Sequence, residues 1–238
     1  MDEHTDGLTG PVRQIKSKER VATHGEVFTA PREVNAMLDL VKPETERIDA
    51  RFLEPACGNG NFLAEILRRK LAVVGSRYGK CRSEYGLYGL IAIASLYGID
   101  ILKDNVEECR ERLFAIFADH YRACFPALSP TLTEQLTEEQ RLFQSLRFIL
   151  RRNILWGDAL TLCTPDEARR PIVFSEWSVV GQQVKRRDFT LDALLRNQPM
   201  EGPNLFSDLG DEAFIPLPIQ EFPLVHYLEI GSHDDEQL

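Results

Sequence analysis

The chain has 238 residues, 43% hydrophobic and 27% charged, which is enough for one sizeable core and too short for two full domains. No apolar run approaches the roughly 18–20 residues of a membrane span, and the acidic, polar start MDEHTDGLTG does not read as a secretory signal. A net charge of −9, from 28 basic and 37 acidic residues, leaves most of any grip on nucleic-acid phosphates to local patches or to another chain.

Residues 1–20 are polar, lack an apolar period and read as a flexible arm. From Pro31, Val34, Met37, Leu38 and Val41 recur at helical spacing, with Thr29 near the cap and Pro43 as the stop. A short strand, Ile48 to Leu53, runs into the loop 54–61. A helix with Leu63, Ile66, Leu67, Leu71 and Val74 inward follows, then a loop over 75–83 and a buried helix from Tyr85 to Leu96. Tyr97 to Ile101 is a strand ending at Asp100. Val106, Cys109, Leu113, Ile116 and Phe117 mark the next helix, and 125–133 is a connection. Glu134 to about Arg151 is helical, and Ile154 to Trp156 is a strand closing on Gly157-Asp158. Pro171 to Val180 is a further strand. The cluster Lys185-Arg186-Arg187 follows it, either an exposed basic turn or a phosphate contact, and residues 181–238 read as an irregular, proline-rich, acidic tail.

Strand–helix alternation predicts an α/β fold, a mostly parallel sheet with helices on both faces, whose ligand crevice lies at the carboxyl ends of the strands. The polar segments 54–61, Asp100 and Asp158 all fall at such ends. The five cysteines form no CxxC pair and read as reduced thiols of a cytoplasmic protein, with no metal site.

The loop Glu54-Pro55-Ala56-Cys57-Gly58-Asn59-Gly60-Asn61-Phe62 joins a strand to a helix. Glycines let such a loop approach a ligand, and the helix amino terminus offers N–H groups to an anion, although many strand-to-helix turns use glycine structurally. Leu63 stands where the dinucleotide fingerprint needs a third glycine, which disfavours NAD and a dehydrogenase. A carboxylate at Asp100 can accept from ribose hydroxyls or can cap the next helix. Gly157-Asp158 is open to a binding role or a plain turn.

The nine-residue loop resembles motif I of the amino-group DNA methyltransferases. His24-Gly25-Glu26-Val27-Phe28-Thr29-Ala30-Pro31 resembles the family's amino-terminal Phe-Thr-Pro motif with Ala30 inserted. Tyr97-Gly98-Ile99-Asp100 is similar to its acidic strand end, and Asn153 to Leu160 is similar to the motif after it. The resemblance covers about residues 20–160. It implies a Rossmann-like, S-adenosylmethionine-dependent fold over residues 21–180, close to modification subunits of restriction and phage-defence systems and acting on adenine N6 of DNA. It further implies that Phe28, Thr29, Glu54, Pro55, Ala56, Gly58, Gly60, Asp100, Ile101, Asp158 and Ala159 line the S-adenosylmethionine site. Cys57 would then pack the loop.

The family's catalytic Asn/Asp-Pro-Pro-Tyr/Phe belongs on the next strand, where an amide oxygen and a stacked ring hold the flipped adenine. That stretch here reads Arg170-Pro171-Ile172-Val173-Phe174-Ser175-Glu176-Trp177. The candidate substitutes are Ser175 and Glu176 as acceptors and Trp177 as the stacking ring, on what is otherwise an aromatic-rich structural strand. Asn197-Gln198-Pro199-Met200 lacks the aromatic and is rejected. The expectation is an S-adenosylmethionine-binding DNA methyltransferase-type protein that acts with a second chain carrying catalysis or recognition. The alternatives are a catalytically silent cofactor-binding or scaffold subunit and a methyltransferase for a non-DNA acceptor.

Overall fold

The computed structural model describes residues 14–126, 132–195 and 216–232. Helix α1 (Lys18–His24) starts at Ser17, whose hydroxyl accepts the Arg20 N–H at 3.1 Å, and stops at Gly25 in the left-handed region, φ 64°. The end of the expected arm, residues 14–20, is therefore tied down, and the Phe28 N–H donates to the Gln14 carbonyl at 2.7 Å. Residues 1–13 lie outside the described residues. Helix α2 (Pro31–Asp39) opens on a proline, whose missing N–H is harmless in a first turn, and buries Val34 and Leu38. Met37 and Val41, expected inward, are exposed; Met37 lies within the helix, Val41 lies past its end at Asp39, and Pro43 opens the short α3 (Lys42–Thr45).

Strands β1 (Phe52–Glu54), β2 (Leu96–Asp100) and β3 (Ile154–Trp156) form a parallel sheet in that order. The register sets Glu54 opposite Gly98 and Asp100 opposite Trp156, so the carboxyl ends of the three strands share one edge of the molecule. Each parallel crossover is a helix pair. Helices α4 (Asn61–Tyr78) and α5 (Arg82–Ala94) link β1 to β2, and α6 (Lys103–Cys124) and α7 (Leu132–Asn153) link β2 to β3. Helix α4 runs through Gly75-Ser76, where the sequence predicted a loop, and the break is confined to residues 79–81. Leu63, Leu67, Leu71, Leu113, Phe117, Leu146 and Ile149 build the core between these helices and the sheet.

The two faces of the sheet follow the strand period of two. Leu96 and Ile154 face the helices, whereas Tyr97, Ile99 and Leu155 face a second cluster of Ile172, Phe174 and Leu191. Helices on both faces were expected. Among the described residues the second face is covered instead by a hairpin, β4 (Val173–Val180) and β5 (Gln183–Thr190), and by α8 (Leu191–Leu195). The hairpin turns through Gly181-Gln182, with Gly181 at φ 62°. Strands β6 (Gln220–Glu221) and β7 (Val225–His226) pair with β5, and Tyr227 and Ile230 enter the main core. A boundary after residue 180 thus falls at the turn of a continuous hairpin, and the described part of the expected tail is structured. The 197–200 segment lies outside the described residues.

The basic cluster lies on strand β5 and not in an exposed turn. Arg186 is buried on β5, donating from Nε and Nη2 to Asp188 at 2.8 and 2.7 Å and from Nε to the Ser175 hydroxyl at 3.1 Å. Lys185 pairs with Glu221 and Arg187 with Glu176. Among the described residues no helix is long and apolar enough to cross a membrane.

Lys70 is fully buried on α4 and donates to the Ala50 carbonyl and the Ser95 hydroxyl, tying the approach to β1 to the end of α5. Burial pushes its ammonium down to about 7, while the unfolded chain keeps it near 10.5. Between those values the unfolded state binds more protons, so this group makes stability rise with pH from about 7 to about 10.5 and is least favourable below 7. Urea midpoints of wild type and Lys70→Met across that window should converge at high pH as wild type gains; parallel curves would mean that Lys70 is charged in the fold.

Candidate ligand site at the carboxyl ends of the sheet

The loop from Glu54 to Gly60 leaves β1 and turns into α4 by placing Gly58 at φ 52° and Gly60 at φ 85°. Both glycines are required by the protein itself. A Cβ at Gly58 would lie 3.0 Å from Cε1 of Phe28, and one at Gly60 only 2.6 Å from Sγ of Cys109. The loop is also anchored from below, the Cys57 N–H donating to the Ile99 carbonyl at 2.8 Å. Cys57 is buried and its thiol is pushed far up, first by contact with the Cys109 thiol and then by burial, which fits a packing residue.

Asp100 is the hub. It is 8% exposed, and Oδ2 accepts the Gly58 N–H at 2.8 Å. Oδ1 accepts the Leu102 N–H at 2.8 Å and Nδ2 of Asn105 at 3.2 Å. Its own carbonyl accepts the Gly157 N–H at 3.0 Å, which draws in the β3 loop. Asp100 therefore holds the glycine loop and the approach to α6 without capping that helix, and Oδ2 retains an acceptor direction for a ligand hydroxyl.

Glu54 is half-buried. Burial raises its carboxyl, and a hydrogen bond from the Ala56 backbone opposes that shift. Pro55 and Ala56 form the exposed turn after it. Phe28 lies against Gly58, and the Thr29 carbonyl accepts Nδ2 of Asn61 at 2.9 Å, so the Phe-Thr-Ala-Pro segment meets the loop. Ile101 is 45% exposed beside Trp156, whose indole N–H donates to the Ile101 carbonyl at 2.9 Å. Ile101 and the half-buried Trp156 thus lie next to each other at the ends of β2 and β3. Asp158 makes a local turn, accepting from the Leu160 N–H at 2.9 Å and the Thr161 hydroxyl at 3.0 Å. Those bonds, led by Leu160, hold its carboxyl below the usual range. Ala159 packs towards the second cluster on the opposite face from the helices.

Two site residues carry no motif signal. Arg112 on α6 donates Nη1 to Oδ1 of Asn61 at 2.6 Å and to the Asn59 carbonyl at 3.3 Å, bracing the loop. Asn105 is found only in three dimensions, although its place five residues after Asp100, in the first turn of α6, is a cue.

Glu176 and Trp177 are not brought to this edge. Glu176 pairs with Arg51, which precedes β1, and with Arg187. Trp177 donates to Oδ1 of Asn153 at 3.1 Å and lines a cleft of about 1120 Å3 with Ile48, Arg51 and Ser95, at the amino ends of the strands. The described residues contain no group of three or more His, Cys, Asp or Glu able to hold a metal ion.

Chemically, this edge offers an uncapped amino terminus on the 18-residue α4 with no acidic residue in its first turn, the carboxylates of Glu54 and Asp100, and the side chains of Ile101 and Trp156. That set suits a ligand combining an anionic group, an ammonium or hydroxyls, and a flat apolar ring. No protein-family model matches the chain, and no curated protein or solved structure shows significant similarity to it.

Replacing Gly60 by alanine forces a Cβ into Cys109 at a left-handed backbone position and should cost about 2–4 kcal/mol, read by urea unfolding. Gly181→Ala, with open space around it, should cost about 1 kcal/mol from backbone strain alone. Equal losses at the two positions would mean that the Cys109 contact does not form.

Proposed function

We propose that the chain binds S-adenosylmethionine at the Glu54–Gly60 loop and serves as the cofactor-binding part of a DNA methyltransferase, acting on adenine N6 by resemblance, in a restriction-modification or phage-defence system. One observation carries the reading. The sheet register sets the glycine loop, Asp100 and the Trp156–Asp158 turn side by side at the carboxyl ends of three adjacent parallel strands. The same arrangement supports taking the core as Rossmann-like. The donor set fits the cofactor: the open end of α4 for its carboxylate, Glu54 for its ammonium, the remaining acceptor direction of Asp100 for a ribose hydroxyl, and the side chains of Ile101 and Trp156 for its adenine. When bound, the cofactor supplies an activated methyl group; this chain's residues orient it.

An acceptor site is a separate matter. With Glu176 and Trp177 at the far end of the sheet, the strand expected to carry catalysis brings neither an acceptor nor a stacking ring to this edge. Among the described residues no strand pairs with the outer edge of β1. This favours catalysis shared with a second chain placed beside Glu54, and it equally favours the reading of a silent cofactor-binding subunit.

Calorimetry should show S-adenosylmethionine binding that Asp100→Ala weakens by about 1.5–3 kcal/mol. With Trp177→Phe leaving Trp156 as the sole indole, its fluorescence should respond to the ligand. Transfer of a tritiated methyl group to DNA should require a partner chain. No cofactor binding would end the proposal; binding without transfer under any pairing would leave the silent subunit.

A further inference from the structure

The segment from Lys16 to Phe28 reaches the first turn of α6 through a network that converges on one buried amide. Asn105 is 1% exposed and makes four hydrogen bonds. Its Nδ2 donates to Asp100 at 3.2 Å and to Oε1 of Glu26 at 2.7 Å, and its Oδ1 accepts Nζ of Lys16 at 2.8 Å and Nη2 of Arg20 at 3.2 Å. Around it, Arg20 pairs with Glu26 and Asp104 at 2.6 Å each, and Lys16 pairs with Asp104 and Glu108 at 3.2 and 2.6 Å. The amide thus joins two carboxylates on one side to two cations on the other. Only one of those four groups, Asp100, belongs to the sheet.

We infer that residues 16–28 are an electrostatically latched wall of the crevice, and that Lys16, Arg20 and Glu26 act through Asn105 as positioning residues for Asp100. Releasing the two cations leaves the Asn105 oxygen buried without partners, so the amide must turn, and with it goes the bond to Oδ1 of Asp100. The other Asp100 oxygen holds Gly58, and Phe28, at the end of the same segment, lies on that glycine. Undocking therefore removes the loop's supports from both sides. Lys16 and Arg20 retain 24% side-chain exposure and Asp104 51%, so salt reaches the latch. Coupling to S-adenosylmethionine rests on the function proposed above; coupling of the segment to Asp100 does not.

Hydrogen exchange separates the two. In Lys16→Gln/Arg20→Gln, amides of residues 18–28 and the Gly58 and Leu102 amides that bind Asp100 should exchange about tenfold faster together, while β2 stays protected. Wild type moved from about 0.1 to about 1 M NaCl, where the screening length falls from roughly 10 to roughly 3 Å, should show the same pattern, and the variant should be insensitive to salt. The wild-type salt comparison decides the matter if the variant loses β2 protection as well. Segment amides that open while Gly58 and Leu102 stay protected, or no change in either, would overturn the inference. S-adenosylmethionine should slow exchange of residues 18–28 in wild type more than in the variant; a wild type that takes up no ligand sinks the function and leaves the latch result standing.

Discussion

Three backbone segments that are distant in the sequence meet at the Asp100 carboxylate and carbonyl. The Gly58 N–H, the Leu102 N–H and the Gly157 N–H all donate to this residue, so the β1 loop, the start of α6 and the β3 loop take their positions from one side chain and its peptide. An ionised acceptor bonded to several N–H groups makes strong contacts, and its 8% exposure limits competition from water. The level ends of β1, β2 and β3, the turn into α4 and the docking of Asn105 all depend on it. A residue that orders the site so thoroughly has less capacity left for a ligand than its place in the motif alone implies.

The sheet was legible because its signals are local. Ile154 to Trp156 is a strand in both sequence and structure, and the glycine loop announces its turn through residues that tolerate positive φ. The helices were found from the spacing of Leu63, Leu67 and Leu71 and of Val106, Cys109 and Leu113, all of them buried. Val41 fits the same period and failed, since spacing says which residues share a face but not where a helix stops, and Met37 is exposed within the helix itself. The glycines at 58 and 60 were recognised, yet the partners that demand them, Phe28 and Cys109, come from other elements.

Strand β5 was hidden for a different reason. Its buried residues are Val184, Arg186, Asp188 and Phe189, so two of the four are charged and period-two hydrophobicity disappears. The burial is tolerable because Arg186 and Asp188 satisfy each other and the Ser175 hydroxyl, with the Phe222 ring 4.0 Å from the guanidinium. Pairwise compensation of that kind leaves no trace in a linear pattern. Glu176 illustrates the converse. A carboxylate near an aromatic on the expected strand invited a catalytic reading, but its ion pairs with Arg51 and Arg187 spend it on joining the hairpin to the base of the sheet.

The order β1-β2-β3 has a consequence in time. Neighbouring strands are consecutive in the chain, so all three strands and their crossover helices are present once Trp156 has emerged from a ribosome, and Val184, Tyr227 and Ile230 join the helical-side core later. The other side, with Tyr97, Ile99 and Leu155, waits for the hairpin and α8. That is roughly 35 residues more, about two to seven seconds of synthesis, during which an apolar sheet face stands bare beside a three-residue edge strand. The shortness of β1, bounded by Arg51 and by Pro55 with no N–H to offer, keeps that interval from becoming an invitation to pair with other nascent chains.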